Sequence, residues 1–397
     1  MTSHAEEFDP LAPVDEVPHA RLGELRRSCP ISRTPSGPWY LARHADVVTA
    51  SRDVERIESA FLAPDGSDPD TQFLPFISEP AHGRVRRVIN AAIATHRLGR
   101  IDPPLRALCN RLLDPLCAAG AGDIGEAYIA PIPAAGIGYL LGLPDEDQPR
   151  FIEWAHGLFG GSVLGDVDSA RRSRVAMKEI SAYLDAEIES RMASTNPPDD
   201  FITRLVNTEV AGIRLSPVAC RTQLIFLLVA GTETTRNLLA NAILRMATDP
   251  NLVERLRSNR DDVTPFIEES LRMDPPLTFL LRQCKADVTI GGVDLDDGAH
   301  VAFGLAAANR DEAVFADPDR FDIDRPNVRG HLAFGDGPHI CPGAALARLE
   351  ARIAIDVVLD RIESLTLDPT FQYQKTPVPF TNGPVSVPVE IVALASQ

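Results

Sequence analysis

Helical spacing dominates the pattern of apolar and polar positions along the 397-residue chain. Apolar residues recur every three to four positions over 16–28, 44–52, 81–95, 102–119, 125–142, 147–160, 168–194, 217–247, 250–258, 262–273 and 343–361. Each stretch predicts a helix. Strand signals are shorter. Trp39-Tyr40-Leu41 is one, and Val288-Thr289-Ile290, a Gly291-Gly292 turn and Val293-Asp294-Leu295 predict a hairpin. Residues 385–394 alternate around prolines, the mark of an edge strand. Asn196-Pro197-Pro198-Asp199-Asp200 separates two helices. The irregular stretch 56–80 has the length of a lid or binding loop, and glycines within 160–166 suggest a second flexible connection. The pattern predicts a mainly α fold with a minor β lobe.

Composition narrows the class. Hydrophobic residues make up 44%, enough for a sizeable core. Thirty-nine Lys and Arg stand against 56 Asp and Glu, a net charge of −17. That disfavours nucleic acid and anionic membrane surfaces as partners. The six cysteines (Cys29, Cys109, Cys117, Cys220, Cys284 and Cys341) are scattered and form no C-x-x-C. Free thiols in a reducing cytoplasm fit better than three disulfides. The opening MTSHAEEFDP is acidic and polar, unlike a signal peptide or anchor. Residues 127–143 carry no charge, but Pro131, Pro133, Gly136, Gly138 and Gly142 interrupt them and they are short for a membrane span. A buried helix is expected there.

The most specific chemistry lies in FGDGPHICPG, residues 334–343. Gly335 and Gly337 allow backbone angles a side chain would block. Pro342 suits a first helical turn, and the apolar spacing after it puts Cys341 at a helix N-terminus. Free N–H groups and the helix dipole there favour a thiolate. A single cysteine without a paired motif argues against structural zinc and fits one axial thiolate on heme iron. Upstream, Ala230-Gly231-Thr232-Glu233-Thr234-Thr235 follows the apolar run 224–229. Small residues there leave room beside a flat cofactor. Thr234 can bond back to the carbonyl of Ala230, and Glu233 can relay protons. By helical spacing, Phe226 and Val229 face the same pocket. Glu269 and Arg272 lie one turn apart and face each other.

These motifs resemble those of the cytochrome P-450 family, soluble bacterial type. The loop matches F-x-x-G-x-[HR]-x-C-x-G, Glu269-Ser270-Leu271-Arg272 resembles its E-x-x-R, 230–235 its oxygen-activating helix, and His82-Gly83-Arg84-Val85-Arg86 its H-x-x-x-R. Order and spacing match from about residue 10 onward. All these motifs serve one cofactor, so a single domain over 1–397 is expected. The resemblance implies heme b (iron protoporphyrin IX) on the Cys341 thiolate, cradled by Phe334, Gly335, Gly343, Ala230 and Gly231. His82, Arg86, Arg282 and His339 would hold its propionates. It implies Glu233 and Thr234 as the proton-handling pair, and a buried Glu269–Arg272 pair bracing the cysteine loop through 309–311 and 321–325. Residues 73–77, with Phe76, and Thr278, Phe279, Phe380 and Thr381 would line an apolar substrate site. The implied activity is insertion of one dioxygen atom into a largely apolar small organic molecule, typically hydroxylation. Electrons would come from NAD(P)H through a ferredoxin reductase and a ferredoxin. His96, Arg97, Arg100, Arg329 and Arg348 suggest a basic patch for that acidic donor. Coupling or desaturation share the same iron chemistry. A heme sensor or carrier would have no need of the Glu233–Thr234 pair.

Overall fold

The computed structural model describes residues 9, 12, 14–61, 66–93, 95–160, 167–376 and 378–395, and the side chains of all of these except 95–97, 159 and 160. The connection 161–166 and the side chains of His96 and Arg97 lie outside the described residues.

The centre of the fold is the helix Pro217–Thr248. At 32 residues it is about 48 Å long at the usual rise. Ser216 caps its start, accepting from the Ala219 amide at 3.1 Å, and Pro217 fills the first position, where no N–H is needed. Apolar residues point in all directions from it, so it is buried on nearly every side by other helices. Leu224, Ile225, Leu228, Leu238, Leu239 and Ile243 all belong to the main core. The helices Pro131–Leu141, Val167–Ala193, Val263–Met273 and Ala344–Arg361 pack against it. Among the described residues, no helix is long and apolar enough to cross a membrane.

A five-stranded sheet stands beside this helical body, in the order Ile31–Arg33, Trp39–Leu41, His300–Phe303, Leu280–Cys284, Ile57–Ser59. Trp39–Leu41 runs parallel to His300–Phe303, and the other pairs are antiparallel. A three-stranded sheet joins Ile362–Leu367, Pro388–Ala393 and Ala121–Asp123. Pro388–Ala393 is its middle strand, not the expected edge. Pro388 is the first residue, where its carbonyl still accepts from Asp368, so the strand tolerates it. The hairpin Val288–Ile290 with Val293–Leu295 forms as predicted, turning on Gly291 and Gly292 at positive φ.

Two further differences have simple causes. The expected helix 125–142 divides into a π-turn, Gly125–Ile129, and the helix Pro131–Leu141. Pro131 lacks the N–H that would continue the first segment, and Ala130 donates instead to the carbonyl of Gly125. The helix expected to reach residue 95 stops at Ala92, and Thr95–Ile101 continues as a tight 3₁₀ segment. All six cysteines are free.

Candidate functional site

Gly335 (φ +73°) and Gly337 (φ +68°) both adopt left-handed backbone conformations in the loop that carries Cys341. At Gly337 an added Cβ would stand 2.7 Å from the carbonyl oxygen of Ser51. The loop therefore lies directly on the end of the helix His44–Arg52, where Arg52 donates to Asp336 at 2.6 Å. The Cys341 amide donates to the Phe334 carbonyl at 2.8 Å and closes the turn. The helix Ala344–Arg361 begins after Gly343, so Pro342 sits just ahead of the cap rather than inside the first turn. The backbone N–H groups of Gly343 and Ala344 donate to the Cys341 sulfur.

The thiol opens into a cleft, yet the protein around it pushes its pKa up. The two N–H groups, Arg86 and Arg348 oppose that shift without reversing it. The helix-terminus N–H groups favour the thiolate as expected, but desolvation of the sulfur outweighs them. A coordinated metal cation is what removes such a proton.

Four cationic or hydrogen-bonding side chains converge near this cysteine from three parts of the chain. His82 and Arg86 come from the helix Ala81–Ala92, Arg282 from the centre of the strand Leu280–Cys284, and His339 from the cysteine loop. The rings of His82 and His339 lie 4.2 Å apart. Arg86 donates to the carbonyl of Ile340. Arg282 donates to its neighbour's Leu281 carbonyl at 3.0 Å and lies over the Phe303 ring at 5.7 Å. Burial lowers the pKa of Arg282 to about 10. Burial, with His82, Arg282 and Arg86 alongside, lowers that of His339 to about 4. His82 bonds Glu79 at 2.9 Å, and among the described residues no other carboxylate acts on these four groups. In a chain with net charge −17, this uncompensated positive site suits a ligand bearing two carboxylates, as heme does.

The other expected part of the site is the middle of the long helix Pro217–Thr248. Ala230 is exposed and most of its neighbours, Phe226, Leu227, Val229, Gly231, Glu233 and Thr234, are only half-buried, so this part of the helix faces open space. Gly231 points elsewhere: a Cβ there would lie 2.9 Å from Ile137 Cδ1. Its small size serves packing against the helix Pro131–Leu141, a correction to its expected place at the cofactor. Thr234 Oγ1 donates to the Ala230 carbonyl at 2.8 Å, as the spacing predicted. Burial raises the Glu233 carboxyl's pKa, opposed by Arg236, 4.0 Å away, and by Asn237.

Among expected substrate contacts, Phe76 and Phe226 are half-buried, with Phe73 stacked between them at 5.9 and 5.3 Å. Val229 is half-buried against the main core. Phe380 is exposed, and its carbonyl accepts both the amide and the hydroxyl of Thr278. Three expected contacts are corrected. Phe279 is buried under the helix His19–Ser28 with Leu22 and Tyr40, Ile77 belongs to the main core, and Thr381 is 1% exposed. The basic patch is also reduced: Arg100 pairs with Asp199 at 2.9 Å and Arg348 with Glu268 at 2.6 Å.

That last pair belongs to a brace the motifs did not reveal. Glu268, on the helix Val263–Met273, receives both Arg348 nitrogens and contacts His331 at 3.1 Å. Arg348 also lies over Phe334, 4.5 Å from the ring centre. The sequence signal was Glu268 beside Glu269, two acids in a helix otherwise apolar on that face. Burial would raise the Glu268 pKa, but His331 and Arg348 hold it down at about 2. A depressed carboxyl contributes stability that is complete above the ordinary carboxylate range and lost as pH falls towards 2. Glu268→Gln is therefore expected to lower stability near pH 6 and to flatten the loss of stability between about pH 5 and pH 2. Chemical denaturation across that range measures it; parallel curves for variant and wild type would contradict it.

The motif pair Glu269–Arg272 is fully buried, joined by bonds of 2.7 and 2.8 Å. Arg272 donates onward to the carbonyls of Asn309, Pro318 and Arg320, and Glu269 accepts from the Asp322 amide and from Arg325. Asn309 then accepts from the Leu332 amide at 2.6 Å, at the entrance to the cysteine loop.

Comparison with known proteins agrees with this geometry. A family model described as Cytochrome P450 matches residues 165–381, more than half of the chain. The chain is 35% identical to cyclomarin C epoxidase of Salinispora arenicola, over 87% of this chain and 89% of that protein. It is 32% identical to a steroid C26-monooxygenase of Mycobacterium tuberculosis, over 92% of this chain and 98% of that one. A solved cytochrome P450 from Chondromyces apiculatus superposes with a TM-score of 0.88 at 30% identity, covering 99% of this chain and all of that one. With these relatives, a lone cysteine beside a cationic cradle and an acid–alcohol pair on the long helix, the chain is a member of the cytochrome P450 family, a monooxygenase that uses heme b on a cysteine thiolate.

Proposed function

We propose that this chain, acting as one unit, hydroxylates a largely apolar small organic molecule, with Cys341 as the iron ligand. The observation that carries the reading is the gathering of the cationic cradle around Cys341, and the Thr234–Ala230 bond on the long helix supports it. Heme, when bound, supplies electron transfer to dioxygen and the oxidising power to place one oxygen atom on carbon. The residues do the rest. His82, Arg86, Arg282 and His339 bind the propionates. Thr234, whose proton is committed to the Ala230 carbonyl, offers lone pairs that orient a water in the cleft. Burial makes Glu233 keep its proton to higher pH than an ordinary carboxyl, which suits it to carry one. The half-buried rings of Phe73, Phe76 and Phe226 and the exposed Phe380 favour an apolar substrate.

Electrons are proposed to come from NAD(P)H through a ferredoxin reductase and a ferredoxin. With Arg100 and Arg348 already paired, docking rests less on the expected patch, of which exposed Arg329 remains.

Titrating the ferric protein with steroids, terpenes, fatty acids and macrolides, while following the Soret band, is the test. A shift towards high spin with one class, and an oxygenated product from that compound under reducing conditions, is expected. A bound compound that is returned unchanged, with electrons still consumed, would contradict hydroxylation.

A further inference from the structure

One buried amide on the long helix holds the irregular segment 69–77, which packs on Phe226 of the same helix. Gln223 is 4% exposed. Its side-chain oxygen accepts the Leu74 amide at 3.1 Å, and its nitrogen donates to the Gln72 carbonyl at 2.8 Å. Two neighbours add to it. Thr222 Oγ1 donates to the Asp70 carbonyl at 2.9 Å, and Ser216 donates to the Asp70 carboxylate. All three reach across more than 140 positions of sequence to the same short segment.

Beyond these bonds, the segment is held by the packing of Leu74, Ile77 and Phe73. It consists of two 3₁₀ turns, Pro69–Thr71 and Leu74–Phe76, whose own backbone bonds span only three residues. Leu74 and Ile77 insert into the core, while Phe73 and Phe76 remain half-exposed. Phe73 stacks on Phe226 of the long helix. Positions 223, 226, 230 and 234 fall on one helix face, so Gln223 lies directly above Phe226, Ala230 and Thr234. Both ends of its amide are used by the loop. Lifting the loop therefore breaks both bonds together and brings the amide into water, which gives two discrete arrangements rather than a gradual fraying.

We propose that Gln223 is a positioning residue that latches residues 69–77 over the cleft and so sets how fast apolar ligands enter and leave. The proposal builds on the reading that the cleft holds heme and an apolar substrate. Losing two hydrogen bonds should raise the open population roughly tenfold.

Gln223→Leu keeps the size and the buried position but removes both bonds. In the heme-loaded protein, stopped-flow mixing with 4-phenylimidazole should show binding and release both about tenfold faster than wild type, with little change in Kd. Thr222→Val should move both rates in the same direction by less, and decides the matter if Gln223→Leu does not fold. Hydrogen exchange at the Leu74 amide, which needs no heme, should accelerate by a similar factor. Rates and exchange like those of wild type in both variants would overturn the latch. Fast exchange in a protein that shows no heme spectrum would uphold the latch and overturn the proposed function instead.

Discussion

Glu269→Ala is expected to leave little folded protein at 37 °C. The carboxylate is fully buried and neutralises two buried guanidinium groups, Arg272 and Arg325, while also accepting the Asp322 amide. Removing it leaves two charges in an apolar interior. Breaking a buried pair in this way costs about 3–5 kcal/mol. A domain of this kind has only about 5–15 kcal/mol in total. The loss should concentrate on one side of the molecule. Arg272 bonds the carbonyls that lead, through Asn309 and Leu332, into the cysteine loop, so heme retention should fail before the distal helices unfold. Urea unfolding followed by far-UV circular dichroism and by heme absorbance would show this. A midpoint within a few tenths molar of wild type, with heme retained, would contradict the brace.

Thr234→Ala is expected to uncouple electron use from product. The hydroxyl bonds the Ala230 carbonyl inside the helix, one turn away, and Glu233 beside it is the acid of the pair. Splitting dioxygen consumes two protons in turn, and positioned proton donors are typically worth 10²–10⁴-fold in rate. Without the hydroxyl, proton delivery loses its aim while reduction continues. NAD(P)H consumption should persist near the wild-type rate, product per electron pair should fall at least tenfold, and peroxide should appear. The substrate-induced Soret shift should be kept, because Thr234 is not needed for binding. Equal coupling in the variant would remove the proposed role. Glu233→Gln tests the other half: as a proton donor with a raised pKa, Glu233 should hold activity to higher pH than an ordinary carboxyl would, and the variant should flatten the alkaline limb of the pH profile.

The contrast between these sites shows what was legible in the chain. The Thr234–Ala230 bond followed from helical spacing alone, because both partners lie on one helix. Nearly every long helix was likewise visible in apolar periodicity. Several strands were not, although Trp39–Leu41 and the hairpin at Gly291-Gly292 were. Leu280–Cys284 and His300–Phe303 are short and show no clean alternation, and their pairing joins residues far apart in sequence. Arg282 could therefore be recognised as a charge needing a partner but not as the centre of a sheet. Gly231 and Phe279 were misplaced for a related reason. Periodicity says that a residue faces something, while the neighbour it faces, Ile137 or the His19–Ser28 helix, is set by tertiary packing. Gln223 and Glu268 escaped notice because a single polar residue in an apolar run carries no motif. Both are now explained by partners far away in sequence: Gln72 and Leu74 for one, His331 and Arg348 for the other.

The central claim is that Cys341 provides the one protein ligand to heme iron. The most direct measurement is the absorption spectrum of the reduced carbon monoxide complex, for the wild-type chain and for Cys341→Ser. The account predicts a red-shifted, thiolate-type Soret band in the wild type and its loss in the variant, with heme still held by the cationic cradle. A thiolate-type band that survives in Cys341→Ser, or is absent from the wild type although heme is bound, would contradict it.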